Sequence, residues 1–279
     1  MVRSTTNRRL HRLAIYALFS VVALYTLFPF YWMIASSLKS GQAIFDVTFL
    51  PDLKFNNYEA ILSDGVFLRS LMNSLIVAAS VVALSLGLAI AAAYALGRIE
   101  FRGRSPIMFL FLAVSMFPQI ALLSGLFEMI RWLGLYNTLG SLIFAYMIFT
   151  LPFNIWVLTT FMRSLPRQIE EAAIMDGCSP LRIVRCIFLP MMGPALISTG
   201  LLAFIASWNE FMVALTFILT DANRTVPVSI AHISGSSRYE FPYGAIMAAS
   251  TIVTVPLIVL ALLFQKYIVS GLTAGAVKG

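Results

Sequence analysis

An acid set inside an apolar run is the residue best placed for chemistry in this sequence of 279 residues. Glu210 follows Trp208 and Asn209 in a stretch otherwise rich in Leu, Ala, Ile, Phe and Val. A ring face, an amide and a carboxylate side by side suit a polyhydroxylated solute, which stacks on aromatics and hydrogen-bonds to amides and carboxylates. Placing a charged side chain at the centre of a membrane helix costs about 2.5–3.5 kcal/mol on insertion scales, so Glu210 must face a bundle interior or water. A structural partner in a neighbouring subunit would meet the same requirement. Gln119 and Asn154, each close to a proline in an apolar stretch, are polar groups of the same kind. Glu210 has no acidic companion in these stretches, and His11 and His232 fall in an end segment and a loop. Acid–base chemistry needs positioned partners, so the chain is not read as an enzyme.

A second constellation is Glu171-Ala172-Ala173, two residues, Asp176-Gly177, nine residues, then Ile187-Phe188-Leu189-Pro190. Its carboxylates and small residues are the chemistry of a docking surface rather than of a reaction. Adjacent alanines admit another backbone closely, and Glu171 and Asp176 offer charge to a basic partner.

The elements that must position these groups are membrane spans. The chain is 60% hydrophobic and 11% charged, with a mean hydropathy of +0.90, where a soluble domain carries about 25% charged residues. Apolar stretches of the length a spanning helix needs cover residues 13–36, 71–96, 106–130, 138–162, 192–219 and 243–267. Each is too long for a barrel strand. The expected fold is an all-α membrane protein of six transmembrane helices, one permease domain over residues 1–279. The first stretch exceeds the apolar core of a cleaved leader and is expected to be retained.

Charge sets the orientation. Arg3, Arg8, Arg9, Arg12, Arg98, Arg102, Arg104, Arg163, Arg167, Arg182, Arg185, Lys266 and Lys278 lie on one side, leaving Lys39, Lys54, Arg69, Arg131, Arg224 and Arg238 on the other. This 13:6 split of the 19 basic residues puts both termini and the loop 163–191 in the cytoplasm. The net charge of +7 is thus a topology signal, and no nucleic-acid partner is implied. The short basic loop 97–105 anchors helix ends at lipid headgroups. Cys178 and Cys186 have no histidine neighbours that would make a zinc site; no metal is expected. Pro118, Pro152 and Pro256 predict kinks.

Within the cytoplasmic loop, a short helix is expected from Pro166 to Met175, with Glu170 and Glu171 near its positive end. Gly177 ends it in the left-handed conformation. Ser179-Pro180 starts a second helix that Pro190 stops. An acidic, alanine-rich surface is unlike a lipid-binding helix, which carries Lys and Arg on one face and bulky apolar residues on the other.

The spacing Glu-Ala-Ala, three residues, Gly, nine residues, Ile-x-Leu-Pro resembles the loop of membrane subunits of ATP-binding-cassette importers. It is matched at Glu171, Ala172, Ala173, Gly177, Ile187, Leu189 and Pro190, with Asp176 in its usual place. The resemblance implies a type I importer permease in the bacterial inner membrane, with a coupling helix seated in a separate cytoplasmic ATPase. It also implies a second permease subunit, two ATPase subunits and an extracytoplasmic substrate-binding protein. ATP and Mg would be held by the ATPase, with no cofactor on this chain, which contains no Gly-x-x-x-x-Gly-Lys-Ser/Thr loop.

The tail 268–279, Trp208-Asn209-Glu210 and Met116-Phe117-Pro118 resemble sugar permeases of the maltose/maltodextrin type. That likeness implies a tail at Gly275, Lys278 and Gly279 reaching between the ATPases, and a last outer loop at Ser234, Gly235, Ser236 and Ser237 touching the binding protein. Relatives of this architecture also carry glycerol 3-phosphate. A secondary transporter is the other class; its inverted repeats and broken midplane helices are not evident in the sequence.

Overall fold

The chain was analysed as a computed structural model, which describes residues 5–39, 48–49, 53–233 and 242–274. Gly275, Lys278, Gly279, Ser234, Gly235, Ser236 and Ser237 lie outside the described residues.

The described elements are helical. In chain order they are α1 (Thr5–Ser37), α2 (Asn56–Ser63), α3 (Gly65–Arg98), α4 (Arg104–Ser115), α5 (Gln119–Trp132), α6 (Leu139–Ser164) and α7 (Arg167–Met175). Next come α8 (Pro180–Ile183), a π-helical turn (Val184–Phe188), α9 (Leu189–Met191), α10 (Gly193–Trp208), α11 (Met212–Phe217), α12 (Val226–Ala231) and α13 (Tyr243–Ala274). Four helices are long and apolar enough to cross a membrane, and six spans result if each of two bent pairs counts as one. Without water in the hydrocarbon region, helices of this kind satisfy every backbone group internally.

The chain forms two compact units. One comprises residues 1–65 and 232–255. In it Asn57 Nδ2 donates to the carbonyls of Ser37 and Lys39, each at 2.8 Å, tying α2 to the end of α1. Gly244 fits against this amide, where a Cβ would stand 2.6 Å from Asn57 Nδ2. Between α1 and the second span, α2 and the first residues of α3 supply the helical structure.

The other unit comprises residues 66–231 and 256–279. Its core has two centres. One gathers Val77, Ile130, Leu142, Tyr146 and Phe217; the other gathers Ala89, Ala93, Leu158, Met162, Ile183 and Phe188. Small residues on α3 let α6 approach: at Gly97 a Cβ would lie 2.7 Å from Met162 Cγ.

Two of the expected spans leave helical geometry within their bounds, the third at 116–118 and the fifth at 209–211. α4 and α5 meet at 97°; Pro118 is extended there (φ −66°, ψ 122°) and has no N–H to continue the helix. The helical run Pro180–Met191 meets α10 at 80°, where Met192 leaves helical geometry (ψ 1°) ahead of Gly193-Pro194. The fifth span also stops at Trp208 rather than running to Leu219, with α11 as a separate piece. The kink predicted at Pro118 is a full break, whereas the bend at Met192 falls where the loop was expected to give way to the fifth span. Pro152 and Pro256, by contrast, sit inside the uninterrupted α6 and α13.

Pro190 does not stop its helix, which ends one residue later at Met191. The π-turn before it absorbs the misfit: the Leu189 N–H reaches back five residues to the Val184 carbonyl. The register is thereby shifted just where proline removes a donor.

Candidate functional site

Two constellations emerge, one in the loop between α6 and α10 and one in a cavity among α4, α5, α6 and α10.

In the loop, α7 begins at Arg167, with Pro166 as its N-cap rather than its first helical residue. Its end is a Schellman cap: Gly177 N–H donates to the Ile174 carbonyl and Cys178 N–H to the Ala173 carbonyl, both at 3.0 Å. Gly177 takes φ +74°, the left-handed conformation expected from the sequence. Ser179 Oγ then accepts from Arg182 N–H at 3.4 Å, and Pro180 opens α8. Pro180–Met191 thus returns from α7 as a second helical arm.

This geometry divides the motif residues. Ala173 is buried with Ile183 and Phe188, turned into the chain's own core. Glu171, Ala172, Asp176, Gly177, Leu189 and Pro190 are exposed, and Ile187 is half-buried. Around the turn stand apolar side chains the sequence reading did not single out: Ile174, Met175 and Leu181, with Met175 87% exposed. An apolar patch rimmed by Glu171 and Asp176 is the anatomy of a protein interface.

Behind this surface the loop is held to α3. Arg98 Nη2 donates to the Leu165 carbonyl at 3.0 Å, and Arg98 Nε lies 3.5 Å from Glu170 Oε2. The guanidinium also covers the Phe188 ring at 4.8 Å. Arg163 Nη2 donates to the Leu96 carbonyl at 3.1 Å, and Arg104 Nη2 to the Gly97 carbonyl at 2.7 Å. Carbonyls at the end of α3, which have no partner within the helix, are satisfied this way.

The cavity encloses about 300 Å³. Its polar lining includes Ser115, Gln119, Tyr146, Thr150, Asn154 and Glu210. Gln119, Asn154 and Glu210, chosen from the sequence, therefore meet. Trp208 and Asn209 do not line it. Trp208 is 1% exposed and stacks on Phe204 at 5.5 Å; Asn209 is exposed, its amide donating to the Ile205 carbonyl at 3.0 Å.

Glu210 is fixed by three donors. Tyr146 OH donates to Oε2 at 2.8 Å, Val213 N–H to Oε1 at 2.9 Å and Ala214 N–H to Oε2 at 3.2 Å. The carboxylate caps the start of α11, satisfying N–H groups that the break after Trp208 exposes. Asn154 Nδ2 donates to Ser85 Oγ at 3.1 Å, linking α6 to α3. Tyr146 and Thr150 were missed in the sequence, although with Asn154 they recur every four residues and so share one helix face.

Both helix breaks border this one cavity: Ser115 and Gln119 flank the first, and Ser207 and Glu210 the second. Irregular backbone at membrane depth is tolerated where it is buried in protein or lines a water-filled space. A polar cavity bordered by irregular backbone within helices of membrane-spanning length suits a protein that moves a solute through its bundle.

Residues 83–274 match the family of binding-protein-dependent transport system inner membrane components, and the chain belongs to that family. It is 47% identical over 267 residues to the trehalose/maltose transport system permease protein MalG of Thermococcus litoralis, covering 93% of this chain and 94% of that one. It is 38% identical over 261 residues to the trehalose transport system permease protein SugB of Mycobacterium tuberculosis, covering 93% and 95%. A solved bacterial ABC transporter involved in the import of the acidic polysaccharide alginate matches with a TM-score of 0.83 at 25% identity, over 96% of this chain and 99% of that chain. The fold is that of a type I ABC importer permease, and the chain is a multi-pass membrane permease of an importer.

Proposed function

We propose that this permease forms half of the path for a sugar or sugar derivative and is driven by a separate ATPase through α7. The observation that carries the reading is the exposed patch of Ile174, Met175 and Leu181 around the left-handed Gly177, rimmed by Glu171 and Asp176. A second permease subunit completes the path, two cytoplasmic ATPase subunits hold ATP and Mg, and an extracytoplasmic binding protein delivers the sugar. Both termini and the α7 loop face the cytoplasm, consistent with the 13:6 distribution of basic residues. The cavity supplies hydroxyl, amide and carboxylate groups of the sort that bind sugars, and relatives at 47% and 38% identity are named for trehalose and maltose transport.

Sugar uptake by reconstituted complexes tests this. Glu171→Lys and Gly177→Asp are expected to abolish uptake while the subunit still inserts and assembles. Normal uptake by both variants would overturn the assignment of α7 as the coupling helix.

A further inference from the structure

Arg98 is the last residue of α3, and its side chain is 3% exposed. It meets the loop at three separate places. It donates to the carbonyl of Leu165, at the end of α6 just before the loop. It pairs with Glu170, 14% exposed, in the first turn of α7. Its guanidinium lies over the ring of Phe188, in the π-turn of the returning arm. Tyr94, one turn earlier on α3, also packs against that ring, with centroids 6.1 Å apart. Both arms of the loop are therefore fastened to the end of one helix by one side chain. A planar guanidinium suits this task, since it can donate to a carbonyl, lie beside a carboxylate and cover an aromatic face at once.

α3 leads from this clamp to the cavity. Ser85, thirteen residues before Arg98, accepts from the cavity amide of Asn154. At 1.5 Å per residue the separation along the helix is about 20 Å. α3 has no proline and no break over this length, so a displacement at its end reaches Ser85 without a hinge to absorb it.

We infer that Arg98 is a positioning residue for transport: it locks the coupling loop to α3, and α3 acts as the rod that carries loop movement to the Ser85–Asn154 contact at the cavity. This rests on the proposed role of α7. The test is the number of sugars imported per ATP hydrolysed by the full complex in vesicles. This ratio does not depend on how much complex assembles. Arg98→Lys, which keeps the charge but cannot reach the Leu165 carbonyl, Glu170 and the Phe188 ring with one planar group, is expected to lower it at least about five-fold, the low end of coupling between sites. Glu170→Gln should lower it in the same direction, and Ser85→Ala should lower it from the far end of the rod. Gly177→Asp is the control for α7 itself. If Gly177→Asp abolishes uptake while Arg98→Lys and Glu170→Gln leave the ratio unchanged, the clamp is wrong and the coupling helix stands. If Gly177→Asp also leaves uptake intact, both fall.

Discussion

Tyr146 on α6 and Glu210 after α10 are joined by a 2.8 Å hydrogen bond, and through it the acid of the fifth span is held beside the fourth. Glu210 serves two ends at once: it lines the cavity, and it closes the backbone gap that precedes α11.

That double role predicts a graded response. Glu210→Ala leaves a helix start uncapped and a buried tyrosine hydroxyl without its acceptor, and should destabilise the protein by about 2–4 kcal/mol. Glu210→Gln, which keeps the shape, should cost less. In thermal unfolding of the purified complex, a double-mutant cycle with Tyr146→Phe is expected to give a coupling of about 0.5–3 kcal/mol. Additive effects would mean that the two residues act independently.

At Gly177 the limiting factor is conformation, because φ is +74° and no atom lies within 4 Å of where a Cβ would stand. Gly177→Ala should cost about 1–2 kcal/mol from the left-handed backbone alone. Gly177→Asn should cost less, and Gly177→Val more. Hydrogen exchange at Cys178, whose N–H closes the cap, would rank the three variants. Equal exchange in all of them would contradict the cap.

Gly97 presents the opposite case. Its φ is ordinary, but an added Cβ would meet Met162 Cγ at 2.7 Å. Gly97→Val is expected to cost about 1–3 kcal/mol by overpacking. Met162→Ala should recover part of that loss in the double variant, as read by thermal unfolding. Failure of the second change to help would place the strain elsewhere.

Asn154 tests the cavity as a sugar path. Asn154→Leu removes its hydrogen-bonding groups while keeping a side chain of similar reach. One lost hydrogen bond to substrate, at about 0.5–1.5 kcal/mol, corresponds to a rise in the KM for sugar uptake of roughly 2- to 13-fold. An unchanged KM would remove Asn154 from the path.

The sequence signals differ in what they reveal. Apolar length disclosed the spans, because a bilayer imposes a minimum on every crossing helix. The loop was legible for another reason: Gly177, Ser179 and Pro180 are each demanded by a local backbone geometry that few residues satisfy. The breaks were hidden because proline alone does not distinguish Pro118, where the chain turns, from Pro152 and Pro256, where the helix continues. Packing decides between those outcomes. Arg98, Arg104 and Arg163 were counted only as orientation signals, since nothing in their type reveals that they reach backbone carbonyls or a ring. Trp208 looked like a platform for a sugar but is buried in its own chain.

The two helix breaks at the cavity have a further bearing on how such a protein changes cargo over time. Backbone that leaves the helix at membrane depth needs partners from protein or water. At 209–211 the chain supplies them itself, because the Glu210 carboxylate receives the N–H groups of Val213 and Ala214. A lineage can exchange Gln119, Thr150 or Asn154 for other groups and leave that break satisfied, so selectivity is free to drift while Glu210 is not.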